Sequence, residues 1–211
     1  MNIGIICAMP EEAQNIIEAL KLTKSEDKKF SVYQGKFQEK NISLIISNIG
    51  KIYASMGTQW LITNYKSDII INTGLAGGLK KEFAIGKVFI ANEVKQHDVY
   101  LPWNGEHLDY LIKPIQIPSL INTQTPSACV LTGDQFVDKH EDHERLKKEG
   151  DVVEMEAFAV ASVCKVFQTP YIILKSISDN AEDDAKADFD TNIQIAMKNS
   201  LPVFLKVLET L

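Results

Sequence analysis

Short runs of apolar and β-branched residues recur along this chain, and segments with helical spacing separate them. The clearest runs occupy residues 2–9 (NIGIICAM), 67–74 (SDIIINTG) and 170–179 (PYIILKSISD). Runs without polar alternation are typical of strands that are covered on both faces of a sheet. Helices that alternate with such strands predict an α/β fold, a three-layer αβα sandwich in which residues 1–211 form a single domain.

The remaining pattern is consistent with this architecture. Residues 30–37 and 41–50 predict two strands joined by a tight turn, and residues 97–126, with four prolines, predict loops with short strands. Pro202 is expected to kink the last helix. The predicted helices are residues 10–20, residues 52–65 with Ile52, Met56 and Trp60 at helical spacing, residues 140–150, the second half of 152–167, and 188–211.

Composition excludes several classes of partner. The 22 basic and 28 acidic residues give a net charge of -6, so we expect no binding to nucleic acid or to an anionic membrane. No apolar run is long enough for a membrane helix, and no signal peptide is recognised at the N-terminus. Three widely spaced cysteines predict reduced thiols and a cytoplasmic protein. Only one basic residue is an arginine, Arg145, so the chain has a single candidate for bidentate phosphate binding.

Polar and acidic residues follow the predicted strands, at the edge where α/β proteins bind ligands. Each has an ordinary structural explanation as well as a functional one. The acids at a helix start favour the helix dipole, the glycines suit a turn, an aromatic residue suits a core, and a terminal Asp suits a helix cap. Taken together they predict a pocket for a neutral, flat-ring ligand rich in hydroxyl groups, such as a nucleoside. The residues that follow the predicted strands and form this group are Glu11 and Glu12; Gly74, Gly77 and Gly78; Phe136 and Val137; Glu154 and Glu156; and Ser178 and Asp179.

The ordered motifs of this chain resemble a known enzyme family. They are GIICAMPEE, SNIGKIYA, IINTGLAGG, LTGDQFV, VEMEAFAVASVC and SISD. This set looks like that of the bacterial 5′-methylthioadenosine/S-adenosylhomocysteine nucleosidases, within the purine nucleoside phosphorylase/hydrolase superfamily. The resemblance covers residues 3 to about 190 and is weakest over 97–126. It implies a central mixed sheet, hydrolysis of the N-glycosidic bond to adenine and a thioribose product, a role in methionine salvage, and a homodimer. No metal or organic cofactor is implied.

The resemblance also implies roles for individual residues. Glu12 would activate the attacking water, and Asp179, oriented by Ser178, would protonate purine N7. Glu156 would accept hydrogen bonds from the ribose hydroxyls. Met155 would pack under the sugar. Phe136 would stack on adenine, and the backbone of Val137 would contact the edge of that ring. The residues around the 5′-alkylthio group would be Met9, Ile49 and Phe189.

Two residues depart from the family pattern. The nucleosidases usually carry Ser where this chain has Leu75, and Arg where it has Lys175. These changes leave open a related purine nucleosidase, of futalosine type or general, and a nucleoside-binding protein without activity. A phosphorylase is disfavoured, because Glu11 and Glu12 follow the first strand with no arginine nearby and a carboxylate repels phosphate. Within 97–126, Tyr100, Pro102 and Trp103 are candidates for a pocket wall supplied by the partner subunit.

Overall fold

A computed structural model describes residues 1–102 and 108–211 of the chain, which form ten strands and six helices within these ranges. The strands are β1 (Asn2–Cys7), β2 (Thr23–Lys24), β3 (Ser31–Phe37), β4 (Lys40–Ile46), β5 (Ile69–Gly78), β6 (Val88–Gln96), β7 (Ile115–Gln116), β8 (Ser127–Thr132), β9 (Val152–Glu154) and β10 (Tyr171–Asp179). The helices are α1 (Pro10–Ala19), α2 (Lys51–Asn64), α3 (Asp109–Ile112), α4 (His140–Leu146), α5 (Ala157–Phe167) and α6 (Ala185–Thr210).

The strands form one mixed sheet around β5. Strand β1 pairs in parallel with β4 and with the first half of β5, while β3 and β4 form an antiparallel hairpin. Strand β5 also pairs with β10 in parallel and with β9 in antiparallel orientation. Because β6 joins β10 to β8, and β8 pairs with β9, these strands close into a ring that includes β5. The prediction of a central mixed sheet is confirmed.

Helices cover both faces of the sheet, which gives three layers. On one face Ile3, Ile5 and Cys7 pack with α1 and α6. On the other face Ile6 and Ile70 pack with α2 and α5. The alternation along β1 therefore places successive side chains in two different apolar cores, as expected for a strand buried on both faces. The predicted three-layer sandwich is confirmed.

The structure differs from the sequence-based expectation in several elements. Helix α2 forms where predicted, but two of the three apolar residues that predicted it face outward: Ile52 is 70% exposed and Met56 is 52% exposed, while Trp60 packs against the core. The small residues Ala54 and Gly57 are buried instead, since they allow close packing on the sheet. Helix α6 begins at Ala185, ahead of the predicted start, and continues past Pro202. Strand β5 continues through the glycines that were expected to end it, and the short elements β2 and α3 were not predicted.

Candidate active site

One cavity at the ends of the central strands gathers most of the residues singled out from the sequence, whereas Glu11, Gly74 and Gly78 do not line it. Its empty volume is about 560 Å³, including the open mouth. All ten predicted site residues line it, and their roles stay predictions at this point. They are Met9, Glu12, Ile49, Phe136, Val137, Met155, Glu156, Ser178, Asp179 and Phe189; Ala8, Leu75, Ala76, Gly77, Gln135, Val153 and Glu154 complete the wall.

Glu12 is held by backbone N–H groups rather than by side chains of its own helix. One carboxylate oxygen accepts from Ala8 N at 2.7 Å and from Met9 N at 3.0 Å. The other oxygen accepts from Leu75 N at 2.9 Å. Burial raises the pKa of Glu12, and nearby Lys175 together with these N–H groups offsets only part of that effect. The carboxyl group is therefore fixed in direction and more basic than an ordinary glutamate.

Glu156 belongs to a buried network of charges. Its Oε1 accepts from Gly50 N at 3.0 Å, and its Oε2 accepts from Lys175 Nζ at 3.0 Å. Lys175 Nζ also lies 2.7 Å from Glu154 Oε2. Burial outweighs the effect of Lys175 and raises the pKa of Glu156 to about 7. The prediction that Glu154 and Glu156 share one face is confirmed, because both carboxylates converge on a single ammonium group.

Lys175 is almost completely buried, with 1% of its surface exposed. Burial alone would lower the pKa of this ammonium group, but Glu154 and Glu156 outweigh burial and raise it. The charge therefore stays on the lysine, which does not itself line the cavity but is close enough to lower the pKa of Glu12. The sequence contained a signal for this network, since a lysine inside the apolar run YIILKSIS requires a buried partner.

Asp179 lies at the end of β10, where burial raises the pKa of its carboxyl group. Its Oδ2 accepts a 2.7 Å hydrogen bond from Ser178 Oγ, and its Oδ1 accepts one of 2.9 Å from Ala181 N. These two bonds lower the pKa, but by less than burial raises it. The side chain is thus oriented by its neighbour and inclined to keep a proton, as a general acid requires.

The glycines of β5 make room for two of these acids. A Cβ atom on Gly74 would lie 2.3 Å from Glu12 Oε1, and one on Gly77 would lie 2.8 Å from Asp179 Oδ1. Distances this short would force the carboxylates to move. The glycine cluster therefore brings the backbone of β5 against the protein's own carboxylates.

An aromatic and apolar region forms the other end of the cavity. The rings of Phe136 and Phe189 meet edge to face, with centroids 5.9 Å apart and planes at 86°. Phe136 is 41% exposed and Ile49 is 48% exposed, so both lie at the mouth. Leu75 packs with Met9 and Phe189, and it adds apolar surface to this end.

Other residues considered from the sequence lie elsewhere. Arg145 pairs with Asp142 on α4, at 2.9 Å, and does not line the cavity. Tyr100 is 85% exposed, so within one chain it forms no wall. Trp103 lies outside the described residues. In the described ranges there is no group of three or more metal-ligating side chains, and no helix is both long and apolar enough to cross a membrane.

Comparison with known families agrees with this geometry. The family model described as "Phosphorylase superfamily" matches residues 2–209. The chain therefore belongs to this superfamily.

Two individual relatives that match over nearly their full length are nucleosidases. The chain is 31% identical to a 5′-methylthioadenosine/S-adenosylhomocysteine nucleosidase of Exiguobacterium sp., covering 100% of this chain and 99% of that protein. It is 32% identical to the nucleosidase of the same name from Glaesserella parasuis, covering 99% and 98% of the two chains. The sequence-based assignment to this nucleosidase family is confirmed.

Solved structures of two kinds of enzyme align with the whole chain. A Neisseria meningitidis nucleosidase of that name, in complex with methylthio-immucillin-A, aligns with a TM-score of 0.90 at 28% identity, over 100% of this chain and 99% of that one. A futalosine hydrolase mutant of Helicobacter pylori aligns with a TM-score of 0.89 at 27% identity, over 100% of both chains.

Proposed function

We propose that this protein hydrolyses the N-glycosidic bond of 5′-methylthioadenosine and S-adenosylhomocysteine, releasing adenine and the thioribose product. The observation that carries this proposal is the meeting of Glu12, Glu156 and Asp179 around one cavity with an apolar end. The names of the relatives at 31% and 32% identity support the same substrates.

The arrangement suits the charges that develop when an N-ribosidic bond breaks. The ribose becomes cationic while the departing purine becomes negative. Asp179, oriented by Ser178, would donate a proton to the purine and so neutralise the leaving group. Glu156 and Glu12 would face the sugar side, where negative charge stabilises the cation.

Glu12 would bind and deprotonate the attacking water. Three backbone N–H groups already orient its oxygens, so little reorganisation is needed when the water reacts. Its raised pKa makes it a better proton acceptor near neutral pH. In relatives that act with phosphate an anion would take the place of this water, but here the pocket wall carries Glu12, Glu154 and Glu156 and lacks Arg145. Repulsion by these carboxylates favours water over phosphate.

The remaining predicted contacts assign each apolar side chain of the cavity to one part of the ligand. Phe136 would stack on the adenine ring, with the buried backbone of Val137 at its edge. Met155 would pack under the sugar. Met9, Ile49 and Phe189 would surround the alkylthio group, since an apolar tail is best received by apolar side chains.

A second substrate class is supported by one specific observation. The Helicobacter pylori futalosine hydrolase structures align with this chain as well as the nucleosidase structures do, with TM-scores of 0.89 and 0.90. The catalytic step would be the same, and the substrates would differ, most of all in the group at the 5′ end. The two candidates therefore separate by substrate rather than by mechanism.

We further propose a homodimer that uses the outer face of α2. Ile52, Tyr53 and Met56 are exposed on this helix, next to the pocket mouth at Ile49. An exposed apolar patch beside a pocket is typical of a subunit interface. Tyr100 and Pro102 of each subunit would then be available to the pocket of the other. Sedimentation of the wild-type protein and of Met56→Lys tests this, because the variant should shift toward monomer.

We also propose a cytoplasmic protein that acts in methionine salvage. The support for the location is chemical: all three cysteines are free thiols, and Cys7 and Cys164 are buried. The support for the pathway is the substrate class of the relatives.

The test of the main proposal is release of free base. Purified protein is incubated with methylthioadenosine, S-adenosylhomocysteine, adenosine, inosine and futalosine, each with and without phosphate. We expect adenine from the first two substrates at a rate that phosphate does not change. Turnover that requires phosphate would instead make the protein a phosphorylase, and adenine binding without turnover would make it a binding protein.

A further inference from the structure

A cluster of charged residues outside the cavity connects its base-binding side to its ribose-binding side. Lys51 Nζ lies 2.7 Å and 2.9 Å from the two carboxylate oxygens of Asp98. Asp98 Oδ2 accepts a hydrogen bond of 2.8 Å from Asp134 N. Asp134 in turn accepts one of 2.8 Å from Lys51 N, at the first turn of α2. We call Lys51, Asp98 and Asp134 the clasp; none of the three lines the cavity.

One end of the clasp fixes the segment that follows β8. Asp134 immediately precedes Gln135, Phe136 and Val137, which line the cavity on the proposed base side. The neighbouring His97 strengthens this attachment, because its N donates to Thr132 O at 3.0 Å. Its ring also lies against Gly133, where a Cβ atom would be 2.3 Å from Nε2. Residues 97 and 98 therefore hold the loop at its start.

The other end of the clasp fixes the segment that binds Glu156. Lys51 follows Gly50, whose N–H donates to Glu156 Oε1 at 3.0 Å. Asp134 Oδ1 lies so close to Gly50 that a Cβ atom there would be 2.9 Å from it. The base-side loop and the ribose-side carboxylate thus share one support, the start of α2.

The ion pair between Lys51 and Asp98 is partly shielded from solvent. The side chains of Lys51 and Asp98 are 20% and 23% exposed, so solvent screens the pair only in part. Burial would raise the pKa of Asp98, but Lys51 and the Asp134 N–H group outweigh it and keep the pKa below its usual value. Asp98 is therefore an anion throughout the neutral range.

We propose that Asp98, paired with Lys51, is a positioning residue that holds the loop 133–137 in the conformation that binds a purine base. This rests on the proposed function, in which that loop receives adenine. A loop ordered before binding loses less conformational entropy when the base arrives, so the clasp contributes to affinity without touching the ligand. Its loss should weaken base binding more than it slows the chemical step.

The experiment compares Asp98→Ala, Asp98→Asn, Lys51→Met and Lys51→Arg with the wild type. Adenine binding is measured by calorimetry, and KM and kcat are measured on methylthioadenosine. We expect Asp98→Ala to weaken adenine binding and raise KM by about tenfold, the scale of lost charge-assisted hydrogen bonds, with kcat within about threefold. Asp98→Asn and Lys51→Met should show smaller effects of the same kind, and Lys51→Arg should restore wild-type values.

A matched control exists in the same protein. Asp151 accepts from Lys80 Nζ at 2.6 Å and from Cys129 N at 2.8 Å, and it does not line the cavity. Asp151→Ala removes the same chemistry from a different loop, so it should change neither adenine binding nor KM. Sedimentation of each variant separates effects on the loop from effects on assembly.

The outcomes distinguish the two proposals. Unchanged adenine binding in Asp98→Asn and Lys51→Met, or an equal loss in Asp151→Ala, overturns the clasp even if Asp98→Ala does not fold. Wild-type protein that binds adenine but releases no base overturns the proposed function alone. Wild-type protein that neither binds adenine nor releases it from methylthioadenosine overturns both.

Discussion

Replacement of Lys175 should measure how much its positive charge stabilises the buried carboxylates of Glu154 and Glu156. Its ammonium group is 2.7 Å from Glu154 Oε2 and 3.0 Å from Glu156 Oε2, and 1% of the residue is exposed. Lys175→Met keeps a similar apolar length but leaves both carboxylates buried without a cation. Removing one partner of a buried ion pair costs about 3–5 kcal/mol, so we expect the free energy of unfolding to fall by that amount at pH 8.

The loss should depend on pH, because Glu156 can be neutralised instead. Its pKa is already raised to about 7 with Lys175 present, and without Lys175 it rises further. A carboxyl group whose pKa is higher in the folded than in the unfolded protein stabilises the fold at low pH, and that stability is lost as pH rises through the folded pKa. The cost of Lys175→Met should therefore be much smaller at pH 5.5 than at pH 8.

Urea unfolding at both pH values measures the effect, and two variants calibrate it. Lys80→Met removes an exposed pair, with Lys80 44% exposed, and should cost under about 1 kcal/mol at either pH. Lys175→Arg keeps the charge and should lose less stability than Lys175→Met at pH 8. A cost for Lys175→Met below about 1 kcal/mol, or one equal at the two pH values, would refute the reasoning.

Three further predictions concern catalysis. Glu12→Gln should lower kcat by about 10²–10⁴-fold without loss of adenine affinity, measured by base release and calorimetry; near-normal turnover would remove Glu12 from the role of base. Asp179→Asn should abolish turnover. For the wild type, kcat/KM should fall as pH rises through the raised pKa of Asp179. A wild-type kcat/KM that is flat across that pH range argues against Asp179 as a proton donor. Leu75→Ser should leave the rate unchanged or improved, because it introduces the hydroxyl group that the nucleosidases usually carry at this position; a collapse of the rate would mean that the packing of Leu75 with Met9 and Phe189 supports the pocket.

The sequence pattern was sufficient to predict the layers and the acids around the cavity, whereas Met9, Ile49, Met155 and Phe189 were predicted from the resemblance to the nucleosidases. Strands β1, β5 and β10 were recognisable because apolar residues fill both faces, and the acids and aromatic residues at their ends followed from the rule that α/β sheets bind ligands there. Pairs that depend on distant segments were not predictable. The bond from Lys51 to Asp98 joins α2 to the end of β6, and neither local spacing nor composition indicates it.

The burial of side chains on α2 was predicted wrongly for a different reason. Ile52 and Met56 have the spacing of a buried stripe, yet they are exposed, while Ala54 and Gly57 are buried against the sheet. Helical periodicity identifies an apolar face but not what covers it. If a second copy covers this face, as we propose, the apolar spacing of Ile52 and Met56 reflects an interface between subunits rather than the core of one subunit.

The two central acids owe their arrangement to β5. Glu12 comes from the start of α1 and Asp179 from the end of β10, and each carboxylate rests against a glycine of the same strand, Gly74 or Gly77. A side chain at either glycine would push its acid away from the cavity wall. Close contact with bare backbone buries both carboxyl groups, and burial is the largest influence that raises the pKa of each. One strand thus sets the distance between the proposed base and the proposed acid, and by burying both it also raises the proton affinity that each role requires.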